Sequence, residues 1–600
     1  MSLTPLNKII IVGIDGCDPH ILEGLLSKNE LPFIKNIVDR GSYHHLKTTN
    51  PPQSPVAWSS MATGSNPGRH GVFDFIKRNP KNYVPELALT NTITMSLFAN
   101  RDAVFSRTRK GKAFWETTSE LGINSRIIKW PMTFPPEKIN GCMLSGLGTP
   151  DLRGGLGRYA LYTTEPVNRE IKGDIHPIPK GVTTIDTNII GPGKIKAKIR
   201  LFLEKSSKTV ILKIQDNEVR LKEREWSKLI QAQFSLRLFK KVTGIFNCYL
   251  TSFNPLTLYI SPINIDPTHP AFPISYPDDY SKDLFNEQGL YHTLGLPEDT
   301  NALSDGIYDE DAFLESCDEI MSEREKMLDY ELDRFKEGIL AVVFDTTDRI
   351  QHMFWDREDS QYNTVITDYY KRMDGILGKI MSVIDDKTAL FVVSDHGFSS
   401  FNREVHLNTW LVKNKLMALK EGNFTGNETL FKTVDWKNTY AYAVGFTSIF
   451  LNIKGREARG IVLGENEIQS IQEKIRDSFL RLKDPQTGKQ VIKEVYKKED
   501  IFHGPFLDDA PDLVIGCNPG YRTSWQTAIG GVPEKVIEDN TKKWCGDHII
   551  DPSFVPGVFI SNLKITKNDV SILDIAPTIL QCLNIKPTEP MDGKSLIVYR

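Results

Sequence analysis

Three histidines and one serine stand in contexts that can do chemistry. His352 follows Asp348 by four residues in Asp348-Arg-Ile-Gln-His352, a spacing that places both side chains on one face of a helix, where they can grip one ion. His396 directly follows Asp395, and His548 ends the glycine-containing stretch Trp544-Cys-Gly-Asp-His548. Neutral imidazole with carboxylate oxygen is the ligand chemistry of zinc and related divalent ions. Each pairing is weak by itself, since a helix cap and a surface histidine produce the same pattern. His44, His45, His176, His269 and His503 read as ordinary surface or core residues. Ser54 lies in Pro51-Pro-Gln-Ser54-Pro-Val-Ala-Trp-Ser-Ser-Met-Ala-Thr63-Gly64. Pro55 suits a first helical turn, so Ser54 is expected at the N-cap of a helix that runs to about residue 62 and stops at Gly64. The positive helix end beside its hydroxyl would be an anion site, with phosphate the obvious candidate. A bare serine needs a base, a lowered pKa or a metal to act as a nucleophile. No base neighbours Ser54 in sequence, which leaves a carboxylate-held divalent ion as the expected activator.

The elements that must position these groups are visible as three apolar runs. Lys8-Ile-Ile-Ile-Val-Gly-Ile ends in Asp15, Gly338-Ile-Leu-Ala-Val-Val-Phe in Asp345 with Asp348 shortly after, and Thr388-Ala-Leu-Phe-Val-Val-Ser in Asp395. Short aliphatic runs without alternation read as strands covered on both faces, as in parallel sheets. Residues 363–384 carry Ile366, Tyr369, Tyr370, Met373, Ile376, Leu377, Ile380, Met381 and Ile384 at helical spacing. The expectation is an α/β fold, a doubly wound and mostly parallel sheet, with ligands gathered at the carboxyl ends of its strands. The core would comprise 1–153 and 300–600. Within it, a less regular block at 401–545 with an amphipathic helix at 465–482 would form a cap or lid. From 154 to 299 the pattern changes to short strands (Thr209-Val-Ile-Leu-Lys-Ile, Phe246-Asn-Cys-Tyr-Leu-Thr, Leu256-Thr-Leu-Tyr-Ile) between Gly, Pro and Asn clusters, which predicts a β-rich insertion. A loop is expected over about 275–300.

Composition narrows the classes. The chain has 600 residues with 40% hydrophobic and 25% charged, so it can build sizeable cores. Lys plus Arg number 73 against 76 Asp plus Glu, a balance without the basic excess that nucleic-acid binding asks for. The 7 cysteines include no Cys-x-x-Cys pair, which indicates neither a thiolate zinc site nor a disulfide framework. No run approaches a membrane span or a secretory leader. A cytoplasmic protein acting on a small molecule, without nucleic acid, is expected. Its oligomeric state is not legible.

Taken in order, Gly13-Ile-Asp15-Gly16, Ser54 ahead of Ala62-Thr-Gly64-x-x-Pro67-x-x-His70-Gly71, Asp348-x-x-x-His352, Ser394-Asp395-His396-Gly397 and Gly546-Asp-His548 resemble the alkaline phosphatase superfamily, and most closely its type I phosphodiesterase and nucleotide pyrophosphatase branch. The closing Ile572-Leu-Asp-Ile-Ala-Pro-Thr-Ile-Leu and Met591-Asp-Gly-Lys-Ser-Leu are similar to that superfamily's C-terminal segment. The resemblance covers roughly 1–150 and 300–600. It implies a metal-dependent hydrolase of phosphate esters with two divalent ions. Asp15, Ser54, Asp395 and His396 would hold one, and Asp348, His352 and His548 the other. Zinc is the family's usual metal, with manganese or magnesium as alternatives. The resemblance further implies that Ser54 is the nucleophile and that a phosphoseryl intermediate forms. The branch carries an Asn shortly after His-Gly, whereas Val72-Phe-Asp-Phe75 follows here. Val56 and Trp58 stand where a sulfatase needs Pro and Arg. Alternative readings are a phosphomonoesterase or phosphoryl transferase of the same superfamily, or an inactive homologue that binds an anion.

Overall fold

The computed structural model describes residues 6–94, 104–236, 241–356, 361–420, 424 and 428–597. The chain divides into two compact units, one of residues 1–89, 108–124 and 336–600, the other of residues 90–107 and 125–335.

In the first unit the three apolar runs are strands, β1 (Lys8–Ile14), β3 (Gly338–Phe344) and β4 (Thr388–Val393), and β3 and β4 are buried throughout. Aliphatic, β-branched side chains on both faces suit a sheet covered on both sides. β1 is central and pairs in parallel with β3 on one side and β4 on the other. Two antiparallel strands extend the sheet beyond β4: β5 (Gly557–Ser561) pairs with β4, and β2 (Ser42–Leu46) pairs with β5. The order β2–β5–β4–β1–β3 leaves the carboxyl ends of the three parallel strands side by side. Their register aligns Gly13 with Val343 and with Val393, so Asp15, Asp345 and Asp395 come out at one level.

Three helices carry the rest of the motifs: α1 (Ser54–Thr63), α2 (Thr346–Phe354) and α3 (Val365–Val383). α3 lies within the 363–384 pattern and buries Tyr369, Tyr370, Met373, Ile376, Leu377 and Ile380. Every residue of α1 is buried, and it stops at Gly64, which adopts φ 62°, a left-handed conformation open to glycine at little cost. His70, also buried, sits with Nε2 2.8 Å from the Ser60 hydroxyl of α1, and its Nδ1 accepts from Val72 N. It is therefore neutral, with its proton on Nε2.

Burial, and then the Arg109 charge, pulls the His70 pKa down to about 3. An unfolded histidine titrates near 6.5, so between those values the unfolded chain binds the extra proton. Stability at this site is complete above about pH 6.5 and falls as pH drops toward 3, at most by about 1.4 kcal/mol per pH unit. Urea midpoints measured from pH 7 to pH 4 should show this slope. His70→Gln should flatten it.

The block at 401–545 packs around its own core, which includes Trp410, Tyr442, Ile475, Phe479 and Ile515. Its antiparallel sheet joins Ala441–Ala443, Ser448–Leu451, Leu513–Cys517 and Ile492–Lys497. Gly464–Phe479 is the amphipathic helix, turning Ile471, Ile475 and Phe479 inward.

The second unit contains residues 154–299, where the β-rich insertion is expected. Thr184–Ile190, Lys196–Glu204, Thr209–Ile214 and Asn217–Lys222 form an antiparallel sheet. The run expected from Phe246 onward is two strands, Lys241–Phe246 and Cys248–Phe253, because Asn247 N donates to Ser261 Oγ and leaves the ladder. Within 275–300, Tyr280–Gln288 is a helix rather than loop. It buries Tyr280, Ser281 and Leu284, too few apolar positions to announce a helical period. Among the described residues no helix is long and apolar enough to cross a membrane.

Candidate active site

The site lies at the carboxyl ends of β1, β3 and β4. Asp15 follows β1, and its backbone N–H donates to the Phe344 carbonyl at the end of β3. Asp395 stands two residues beyond β4 and accepts from Gly16 N at 3.2 Å. α2 begins directly after β3 and aligns Asp348 with His352, their Oδ2 and Nε2 atoms 3.3 Å apart. His548 comes from the loop after the short strand Gly546–Asp547, with Nε2 3.7 Å from Asp348 Oδ1. All of these side chains are buried.

Ser54 is the first residue of α1; Gln53 caps it, accepting from Val56 N and Ala57 N through its backbone carbonyl. The expected N-cap role therefore shifts by one residue, and this frees the serine hydroxyl from capping. Ser54 Oγ instead lies 3.3 Å from Asp15 Oδ1 and 3.2 Å from His396 Nε2. One turn on, Trp58 Nε1 donates to Asp15 Oδ2 at 3.0 Å, as i, i+4 positions on one helix face allow.

The three imidazoles share a device. His352 Nδ1 faces the Gly546 carbonyl at 2.8 Å, His548 Nδ1 the Pro52 carbonyl at 2.6 Å, and His396 Nδ1 the Gly397 carbonyl at 3.1 Å. A carbonyl can only accept, so each Nδ1 carries a proton, and each Nε2 is the ring atom left to face the site and offer a lone pair to an ion. The rings of His396 and His548 stack with centroids 3.5 Å apart. A Cβ on Gly546 would come within 2.5 Å of the Gln351 carbonyl, so the loop approaches α2 as closely as glycine permits.

The electrostatics follow from burying these groups together. Burial, then the neighbouring carboxylates of Asp395 and Asp348, holds Asp15 well above the usual carboxylate range. Burial pushes Asp348 the same way but is outweighed by His352 and Arg349, leaving it well below that range. His396 is raised against its burial by Asp395, whereas burial and then His396 lower His548. Arg349, on α2 beside Asp348, places Nη1 against Asp348 Oδ2. Sequence reading missed Arg349 and Trp58; the available signal was their positions in Asp348-x-x-x-His352 and at i+4 from Ser54.

These residues fit divalent ions. Asp348 Oδ1 and Asp395 Oδ2 are buried without a well-formed hydrogen bond, faced by His548 Nε2 at 3.7 Å and His396 Nε2 at 3.1 Å, an arrangement of inward-facing donor atoms that a cation would complete. Donor atoms of Asp15, Asp395 and His396, and separately of Asp348, His396 and His548, lie within 4.8 Å of one another. The expected partition assigns His396 to one ion; here its ring reaches both groups. His352 falls outside these tight groups, although its Nε2 faces Asp348.

The fold is an α/β core with oxygen and imidazole donors gathered at its strand ends. The model of the type I phosphodiesterase / nucleotide pyrophosphatase family matches residues 9–224 and 249–538, and the chain belongs to that family. It is a phosphoric ester hydrolase of the phosphodiesterase and pyrophosphatase type, and it carries candidate metal-binding groups. Among solved structures it is similar to human ectonucleotide pyrophosphatase / phosphodiesterase 5, at 12% identity and TM-score 0.42 over 98% of this chain and 97% of that one. It is also similar to phosphonoacetate hydrolase from Sinorhizobium meliloti 1021 in complex with phosphonoacetate, at 12% identity and TM-score 0.45 over 97% and 98%. No curated protein matches the sequence.

Proposed function

We propose that the chain hydrolyses a small-molecule phosphate ester, with diesters favoured, through a phosphoseryl intermediate on Ser54 at a centre for two divalent ions. The observation that carries this reading is the Ser54 hydroxyl, buried at the start of α1 and within 3.3 Å of Asp15 Oδ1 and 3.2 Å of His396 Nε2. Asp15, Ser54, Asp395 and His396 would hold one ion, and Asp348, His352 and His548 the other. Zinc fits the imidazole-rich donor set, and manganese or magnesium the carboxylates. Bound ions would supply Lewis acidity, lowering the pKa of the nucleophile and neutralising charge on the phosphoryl group.

The chain's own residues account for the rest. Asp15 accepts from the Ser54 hydroxyl and is itself held by the Trp58 indole, which fixes the direction in which Oγ can attack. Attack forms the Ser54 Oγ–P bond and breaks the bond to the leaving oxygen, which departs with the serine proton; water then breaks the Oγ–P bond, restoring the hydroxyl and releasing a phosphate monoester from a diester or phosphate from a monoester. The N-terminus of α1 points its dipole at the oxygens on which charge develops. Asp74 stands in the Val72–Phe75 stretch, where the branch carries its Asn. Its carboxylate accepts from Gln53 Nε2, Ile76 N and Phe446 N.

The test is a phosphoester panel on chelator-stripped protein before and after adding zinc, manganese or magnesium. Stripped protein should be inactive and the added ion should restore turnover of bis-p-nitrophenyl phosphate above that of p-nitrophenyl phosphate. The reverse preference would select the phosphomonoesterase reading. Binding of phosphate without turnover of either ester would select the inactive anion-binding homologue.

A further inference from the structure

Arg522 is fully buried at the end of the strand Gly520–Thr523. Its guanidinium carbon lies 4.7, 4.6 and 4.3 Å from the ring centres of Phe401, Phe446 and Trp525. Nε stands 2.9 Å from Asp547 Oδ2, yet none of the three nitrogens makes a well-formed hydrogen bond to a described residue. Such a pair is a poor stabilising device, because apolar residues of similar volume commonly do as well or better. Its use has to be sought in what Asp547 holds.

Asp547 Oδ1 accepts from the backbone N–H groups of His548 and Ile549, at 2.8 and 2.9 Å. Oδ2 accepts from Trp544 Nε1 at 2.8 Å. The Trp544 ring lies stacked on His352, with centroids 3.7 Å apart. The same segment grips His352 by its backbone: Cys545 N donates to the His352 carbonyl, and the Gly546 carbonyl faces Nδ1. One carboxylate therefore ties the backbone of His548 to the ring that covers His352.

We propose that Arg522, acting through Asp547, is a positioning residue that holds His352 and His548 as one rigid pair of metal donors. The inference rests on the two-ion reading of the site. Aromatic rings pack round the guanidinium, and Asp547 is the carboxylate nearest to it, with Nε 2.9 Å from Oδ2. With Asp547 fixed by the ion pair, the segment from Trp544 to Ile549 has one conformation before any ion arrives, and the donors need no rearrangement on binding.

The experiment is calorimetric titration of chelator-stripped full-length chain with zinc alone, and separately with manganese alone, alongside melting curves without metal. The variants are Asp547→Asn, Arg522→Lys and the double variant Arg522→Met/Asp547→Asn. The wild-type chain should bind two ions. Asp547→Asn should weaken one of them about 10- to 100-fold and leave the other unchanged. Arg522→Lys, which keeps both charges of the pair, should retain more affinity than Asp547→Asn or the double variant. The double variant carries no uncompensated charge from this pair, so it should keep the native fold. It should melt near the wild-type temperature and still show the weakened ion. Wild-type affinity for both ions in the double variant would overturn the proposal, as would equal weakening of both that tracks the melting temperature. A wild-type chain that binds fewer than two ions would overturn the two-ion reading, and the proposal with it.

Discussion

Ser54→Ala is expected to lower turnover by about 10⁴-fold or more while the chain keeps most of its metal. The hydroxyl is one donor among several on its side of the centre, since Asp15, Asp395 and His396 stay in place around the position it vacates. The backbone should not shift, because α1 is capped by the Gln53 carbonyl and not by the serine side chain. The affected step is bond formation to phosphorus, which the alanine side chain cannot make. Steady-state turnover of bis-p-nitrophenyl phosphate and metal analysis of the same sample check both halves. Residual activity within tenfold of wild type would remove Ser54 from the chemistry.

Asp348→Asn should be nearly as damaging, but by another route. Asp348 is the carboxylate on which His352 and His548 converge, at 3.3 and 3.7 Å. The amide keeps the shape but loses the charge, and with it the ion-pair contact to Arg349 Nη1. One ion per chain should be lost and turnover should fall about 10³-fold, the equivalent of about 4 kcal/mol in the barrier. His352→Ala should remove the same ion while leaving the Asp15 side of the centre loaded. Metal counting on the two variants checks this, and full occupancy of both positions in either one would contradict the assignment of these residues.

The sequence shows most of the scaffold because its signals there are local. β1, β3 and β4 declare themselves as aliphatic runs that end in Asp15, Asp345 and Asp395, and α3 as a helical stripe. Asp348 and His352 are visible as i and i+4 positions. His548 has no such periodicity and is marked only by the order of motifs along the chain. What stays hidden is built from backbone groups or distant contacts. The carbonyls of Pro52, Gly397 and Gly546, which set the tautomers of the three histidines, leave no trace in residue type. Arg522 and Asp547 are 25 positions apart and meet only in the fold. The one-residue displacement of the α1 cap is equally local to the backbone: Pro55 marks a first turn but does not say whether Ser54 or Gln53 precedes it.

The most direct measurement is anomalous diffraction from crystals of the zinc- or manganese-loaded chain, collected on either side of the metal's absorption edge. The account predicts two anomalous peaks per chain, one contacted by Asp15, Ser54, Asp395 and His396 and the other by Asp348, His352 and His548. A single peak, or peaks outside this set of side chains, would contradict it.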